Sequence, residues 1–324
     1  MSLILFEIFK MYINHISSYI PSNKISNDYF GNLNGLSDEW ILERTGIKER
    51  RKADKSENAQ TMGLEAVKKG LEDLPYHYEE IDLIVGGTYT PYDTIFTLGH
   101  AVQKYLDKSD IPVLSISTAC STFVNAVEVV EGYFALKKAS KALVVLSEHN
   151  TLYSKDEDQI AGHLWGDGAA AVFISKEKLK ESDFTIRQVI TGGAGNVGKA
   201  SDSVFLRPGY EGFEMPFGRD VFVKACQYMS GVTKRIIEEN NYTIEDIDYL
   251  IPHQANLRIT KNVAESLKVD PDKALSNIQY LGNTGCAGAA IAMDENKTKF
   301  KKGDIIVVTV FGGGYSYGAM LLEC

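Results

Sequence analysis

One pattern in the chain occurs twice. EEIDLIV (79–85) and IEDIDYLI (244–251) each follow a helical stretch. Each then leads to a basic turn feeding an all-apolar strand, KKASKALVVLS 61 residues from Ile81 to Ala142 and KKGDIIVVTVF 58 residues from Ile247 to Ile305. Both copies close on a similar run, GDGAAAVFIS (166–175) and YGAMLLEC (317–324). A repeat of this length is most simply two copies of one α/β unit packed together, and it narrows the fold before any single element is assigned.

The repeated apolar runs hold four to six Val, Ile and Leu residues without alternation. Such runs read as strands buried on both faces, in a sheet covered by helices on each side. Between them, 61–74, 97–106, 123–138, 221–240, 256–267 and 290–300 place apolar residues at helical spacing, which predicts amphipathic helices. The fold expected is α/β, in two βαβ-type halves over 1–178 and 179–324.

Charge restricts the partners. A formal charge of −9 opposes a main role on duplex nucleic acid or an anionic membrane, since both need a basic face. Local basic groups stand at Lys48–Lys52, where four of five residues are basic, and at Lys297, Lys299, Lys301 and Lys302. Solvated surface is the plain reading of both.

The four cysteines, Cys120, Cys226, Cys286 and Cys324, have no paired spacing and read as reduced thiols; no zinc pattern appears. Met1–Asn14 holds Glu7 and Lys10 and lacks a small-residue cleavage site, so it makes a poor secretory signal. The strand-like YINHISSYIP directly after Met11 points to a natural start there, and a cytoplasmic enzyme is expected.

Candidate chemistry collects where strands end. IPVLSIS (111–117) reads as a buried strand, TACS (118–121) as a turn of small residues, and the next stretch as a helix. Cys120 therefore stands at a helix N-terminus, whose free amides and dipole are expected to lower a thiol from its usual value of about 8.5. A buried filler is the competing reading of that cysteine. His253 follows DYLIP, past the carboxyl end of a central strand, where α/β proteins place their sites; a structural loop histidine is the alternative. His163, just before WGDG, is a rival base.

Two glycine-rich segments complete the set. Asn283 lies in YLGNTGCAGAA, a turn in which Asn serves either backbone or substrate. FGGGYSYG (311–318) follows IIVVTV and allows backbone N–H groups to approach a ligand closely, as an oxyanion hole requires. A phosphate loop is its rival, but the chain has no GK[ST] or G-x-G-x-x-G there.

Taken together and in order, TACS, IPHQANLRI, LGNTG and FGGGYSYG resemble the β-ketoacyl-[acyl-carrier-protein] synthase III family of the thiolase superfamily, with SDEWILERTGIKER (37–50) and WGDGAAAV (165–172) as further matches. The resemblance runs from about Met11 to Leu322. It implies a thiolase-like duplicated five-layered α-β-α-β-α fold and a homodimer. It also implies a decarboxylative Claisen condensation of an acyl thioester primer with malonyl-acyl carrier protein, initiating fatty-acid synthesis without a cofactor or metal. By the same resemblance Cys120 takes the acyl group, His253 and Asn283 bind the malonyl thioester carbonyl, and the amides of Cys120 and Gly313 form the oxyanion hole.

The likeness carries further residues over. Trp40 and Arg44 match the coenzyme A clamp, although the family's second arginine falls near Gln159. Gly218 matches the coenzyme A channel, Ile95 or Phe96 the partner-subunit phenylalanine that bounds the primer pocket, and Arg258 a contact for the carrier protein, to which the 48–52 cluster would add. Sister activities fit less well. A thiolase would carry a cysteine where Val310 stands, and an HMG-CoA synthase-like enzyme a glutamate within GGTYTP (86–91). TACST, LGNTGCAGA and Leu36 depart from the common forms, so a specialised primer or a carrier-protein donor is as open as acetyl-CoA. The alternatives are a starter, condensing or acyltransferase enzyme of polyketide-type secondary metabolism, and a carrier-binding scaffold without catalysis.

Overall fold

The computed structural model describes residues 10–210 and 212–324. The readings made for Met1–Asn14 lie largely outside these. Strand β1 (Met11–Tyr19) opens the fold, followed by a small ribbon of β2 (Asn23–Ser26) and β3 (Glu49–Lys52) that brackets α1 (Asn27–Asn34) and α2 (Asp38–Thr45). The first half continues through α3 (Ala59–Glu72), β4 (Leu83–Gly87), α4 (Leu98–Tyr105), β5 (Val113–Ile116), α5 (Thr122–Ala135), β6 (Lys141–Glu148), α6 (Asn150–Tyr153) and β7 (Gly168–Ser175). The second half opens with β8 (Phe184–Gly193), α7 (Ala200–Ser203) and a ribbon of β9 (Phe205–Arg207) with β10 (Gly212–Glu214). It continues with α8 (Gly218–Glu239), β11 (Tyr249–Pro252), α9 (Leu257–Leu267), α10 (Ile278–Leu281), α11 (Gly288–Asn296), β12 (Ile305–Gly312) and β13 (Ser316–Glu323).

The repeat in the sequence is a repeat in space. Strand order is β11-β12-β13-β8 in one half and β1-β7-β6-β4-β5 in the other, so the order from β8 to β11 copies that from β1 to β4. In each copy one pair is parallel, β4 with β6 and β11 with β12, and the strands leading from it to β1 or β8 pair antiparallel; β11, which precedes His253, is the edge strand of the sheet and not the central strand expected. β1 and β8 pair antiparallel over three residues, from Met11 opposite Ile186 to Ile13 opposite Phe184, and join the halves.

Side-chain alternation then builds five layers. In β6, Ala142, Val144 and Leu146 face a central core that also holds α5, α11, β12 and β13, whereas Leu143 and Val145 face α3 and α4. In β12, Ile306, Val308 and Val310 face the same central core, while Ile305 and Val307 pack on α8 and α9. A strand wedged between two helical layers has no solvent face, which is why β6 is unbroken apolar over 142–146 and β12 over 305–308. The chain has the thiolase-like α-β-α-β-α fold.

Three expectations need correction. β5 is an edge strand, half-buried at Val113, Leu114 and Ile116 and exposed at Ser115, so its apolar run does not mark burial on both faces. α11 is not amphipathic: Gly288–Asp294 are all buried, because the helix lies in the middle layer. β8 was not expected as a strand; FTIRQVITGG mixes buried and open positions and falls where the boundary between halves was sought. Among the described residues no helix is long and apolar enough to cross a membrane.

Candidate active site

The β5–α5 turn places Cys120. Ala119 adopts φ +50°, a left-handed conformation costly for any residue with a Cβ. A local net of bonds holds it there. Thr122 Oγ1 donates to Ala119 O at 2.6 Å, Thr118 N donates to Thr122 Oγ1 at 2.9 Å, and Ser121 Oγ donates to Thr118 O at 2.8 Å. The turn lifts the thiol out at the start of α5, into a cavity of about 350 Å³.

That cavity brings together residues far apart in sequence. Cys120, His253, Asn283, Gly312 and Gly313 line it, with Tyr89, Trp165, Phe213, Phe222 and Phe311 supplying apolar wall. Gly218, at the first turn of α8, lines it as well. Gly312 is there because nothing larger fits: a Cβ would meet Cys120 N at 2.7 Å and Ser121 N at 3.0 Å.

His253 follows β11, and its N–H donates to Thr309 O of β12 at 2.8 Å. Its ring is buried, and Nδ1 has no hydrogen-bond partner among the described residues. Burial pushes its pKa down to about 4, so the imidazole is neutral at ordinary pH. Asn283 Oδ1 accepts from Gly285 N at 3.0 Å, which commits the oxygen to the turn and leaves the side-chain NH₂ to offer. The Asn283 backbone pairs with the first half: Asn283 N donates to Leu164 O at 2.8 Å and Gly166 N to Asn283 O at 3.0 Å. Asn150 Nδ2 bonds both Gly166 O and Asn283 O. Gly166 in WGDG is required by this contact, since a Cβ there would stand 1.9 Å from Leu281 O.

The thiol differs from its sequence expectation. Burial, and then the charge of Glu148, push Cys120 up to about 12, the reverse of the lowering expected from the helix N-terminus. Desolvation outweighs the amides here and keeps the thiol protonated.

Other assigned positions fall around this centre. Arg44 stacks on Trp40, its Cζ 4.4 Å from the ring centroid, and neither residue lines the cavity. Gln159 Nε2 donates to Asn34 O at 2.6 Å. Ile95 and Phe96 are exposed, at 87% and 42%, and also lie off the cavity wall. Arg258, exposed on the first turn of α9, sits with Cζ 5.7 Å from the ring of the cavity residue Phe222.

Two expectations fail at the periphery. His163 is no rival base: it is buried edge-on against Trp40, pushed down to about 4 by burial and Arg50, and absent from the cavity wall. Nor is Lys48–Lys52 an open basic patch. Arg50 is fully buried, donating to Ile25 O, Asn27 Oδ1 and His163 O, and Lys52 is paired with Asp156. Cys226 packs on the α8–α9 core, and Cys286 is buried beside Asn283 with its S–H donating to Gly87 O at 3.6 Å. Tyr89, whose hydroxyl stands 4.0 Å from Cys120 Sγ, and Glu148, whose charge acts on that thiol, were not expected from the sequence. A carboxylate closing a fully buried strand, as in KALVVLSE, was the available signal.

Family models for 3-oxoacyl-[acyl-carrier-protein (ACP)] synthase III match residues 114–194, and for its C-terminal part residues 237–324. The chain is 34% identical to β-ketoacyl-[acyl-carrier-protein] synthase III of Aquifex aeolicus, over 94% of this chain and 96% of that one. It is 33% identical to the synthase III of Clostridium novyi, over 96% and 98% respectively. The crystal structure of the Aquifex aeolicus VF5 synthase III superposes with a TM-score of 0.90 at 32% identity, covering 97% of this chain and 100% of that one.

Proposed function

This chain belongs to the β-ketoacyl-[acyl-carrier-protein] synthase III family, and on that premise we propose that it initiates fatty-acid synthesis as a condensing acyltransferase. The reaction joins an acyl thioester primer to malonyl-acyl carrier protein, releasing CO₂ and giving a 3-oxoacyl-acyl carrier protein. The observation that carries this reading is the single cavity lined by Cys120, His253, Asn283 and Gly313.

The steps follow from those groups. Cys120 Sγ attacks the primer carbonyl, the bond from that carbonyl to the donor sulfur breaks, and the donor leaves as a thiol carrying the proton that Cys120 gives up. The amides of Cys120 and Gly313 hold the oxyanion of that intermediate. The malonyl group then loses CO₂, and the electron pair of the broken bond becomes an enolate whose oxygen takes hydrogen bonds from His253 and the Asn283 NH₂. The enolate carbon attacks the acyl-Cys120 carbonyl, a carbon–carbon bond forms, and the cysteine sulfur leaves as a thiolate that takes one proton from water to restore the thiol. Decarboxylation supplies the carbanion, so no base and no cofactor enter the balance. A neutral His253 fits this task, being a donor that takes no proton from carbon.

The two halves divide the labour, with residues 1–178 carrying Cys120 and 179–324 carrying His253 and Asn283. The enzyme works as a cytoplasmic homodimer. Support for the dimer comes from the open edge of β5 and the exposed Ile95 and Phe96 beyond β4, a strand edge and apolar knobs that a second copy would cover. Arg258, beside Phe222 of the cavity, suits an acidic carrier protein, and Trp40, Arg44 and Gly218 suit the carrier or coenzyme A arm.

A second reading is a specialised starter or condensing enzyme of polyketide-type metabolism that takes its primer from a carrier protein. The packing of Arg44 directly on Trp40, with Gln159 where the family has arginine, favours it, since that ring face is already covered. Supplying malonyl-acyl carrier protein with a panel of acyl-CoAs and acyl-carrier proteins, and identifying the 3-oxoacyl product, tests both. Formation of no 3-oxoacyl product from any donor sinks both.

A further inference from the structure

Behind the nucleophile lies a cluster of polar groups that the steps above do not use. Tyr89 enters from the loop after β4, and its hydroxyl is 4.0 Å from Cys120 Sγ. Glu148, at the end of β6, is fully buried. Cys286 enters from the turn before α11, and Gly285 beside it leaves room for the phenol, because a Cβ there would stand 2.5 Å from the Tyr89 oxygen.

Glu148 has a definite job in this cluster. Its carboxylate accepts from Thr88 Oγ1 at 3.1 Å, from Tyr89 N at 3.3 Å, and from Thr90 N at 3.1 Å and Oγ1 at 2.5 Å. Three successive residues of the loop are thus tied to one buried acceptor some sixty residues away in sequence. The Tyr89 ring is held from its other side by Phe213, edge-on with centroids 6.1 Å apart. A phenol fixed this firmly beside a sulfur can act on it at no further ordering cost.

We propose that Tyr89 is a positioning residue of the nucleophile: held by the Glu148-pinned loop, its O–H donates to Cys120 Sγ whenever that sulfur carries negative charge. The charge arises as the thiol attacks the primer and again as the sulfur leaves the condensation product, and Tyr89 keeps its own proton throughout. In the resting site the bond runs the other way, the S–H pointing at the phenol oxygen. Burial raises the phenol well above its ordinary value, so it remains a donor.

The groups facing Cys120 fix how this is read. They are Tyr89 from the β4 loop, Glu148 from β6, Cys286 from the turn before α11, and across the cavity His253, which is uncharged. Burial pushes Glu148 up to about 7, so its ionisation adds an inflection near neutrality in every variant that keeps it. A comparison at position 89 alone cancels that contribution.

The inference rests on Cys120 being the reactive thiol, and its test is independent of condensation. Iodoacetamide alkylation of Cys120 is followed by intact mass and peptide mapping from roughly pH 7 to 11, in the full chain and in Tyr89→Phe. Loss of one hydrogen bond to a charged sulfur is expected to slow alkylation about tenfold throughout this range, all of which lies on the rising limb below the thiol's pKa. An unchanged rate and profile overturns the proposal. Where Tyr89→Phe loses its cooperative melt, 3-fluorotyrosine at position 89, a stronger donor of nearly the same shape, is expected to speed alkylation; an unchanged rate again overturns it. A protein whose alkylation responds at position 89 yet makes no 3-oxoacyl product would refute the condensing reading while leaving this one intact.

Discussion

Gly312 and Cys120 meet backbone to backbone: a Cβ added at Gly312 would lie 2.7 Å from the Cys120 amide nitrogen. The end of β12 in one half thus sets the space around Cys120 of the other. Gly312→Ala must displace either the Cys120 amide or the Gly312–Gly314 turn, and both carry groups assigned to the oxyanion hole. Acylation of Cys120 should fall by about 100-fold, the scale for losing one oxyanion donor. Single-turnover acylation measures it; a rate within threefold of wild type would remove Gly312 from the account.

His253 makes a statement about pH. Burial pushes its pKa from 6.5 down to about 4, and the enolate-binding role needs only the neutral ring. The acid limb of malonyl decarboxylation is therefore expected near pH 4, well below that of an ordinary histidine. Decarboxylation followed by CO₂ release between roughly pH 4 and 8 checks this. A limb centred near 6.5 that persists in Glu148→Gln, where the carboxyl at about 7 no longer contributes, would mean that His253 is solvated in the working site.

The same burial links stability to pH. His163 and His253 are both buried, and each is pushed from 6.5 down to about 4. A depressed histidine is neutral in the fold but charges freely in the unfolded chain. Its contribution is therefore fully present above pH 6.5 and is lost as pH falls through about 4, on the order of 3 kcal/mol for each ring. His163→Gln should shrink the drop in unfolding free energy between pH 7.5 and 4.5 by about 2 kcal/mol. Urea titrations at the two pH values give the answer, and an undiminished drop would assign acid sensitivity elsewhere.

Much of the fold was legible because β4, β6, β7, β12 and β13 lie between helical layers and so spell themselves as unbroken apolar runs. β8 was not, since its face toward the molecule's exterior keeps polar residues such as Arg187 and Gln188. Cys120, His253, Asn283 and Gly313, which line one cavity, each carry a local signal in the sequence, standing just past a strand or in a glycine turn. Tyr89 and Glu148 escaped notice because their roles depend on contacts spanning 31 and about 60 residues, which no local pattern carries. Arg50 misled for a related reason: three oxygens from distant segments take up a charge that the sequence presents as surface.

Ile95, 87% exposed on the loop after β4, tests the assembly. Ile95→Asp should leave the fold unchanged, with the far-ultraviolet circular dichroism spectrum intact, but put a charge where a second copy is expected to pack. Light scattering at micromolar concentration should show a dimer for the unchanged protein and a monomer for the variant. A dimer of undiminished strength would place the interface elsewhere.

The proposed condensation depends most on a division of roles between Cys120 and His253. Intact-mass spectrometry of the protein after exposure to a panel of acyl-CoAs and acyl-carrier proteins, with malonyl decarboxylation assayed in parallel, tests that division directly. The expected result is a stable acyl adduct on the unchanged protein, none on Cys120→Ala, and on His253→Ala an adduct formed at near-normal rate while decarboxylation is abolished. Acylation of Cys120→Ala to the same extent, or equal loss of both steps in His253→Ala, would contradict it.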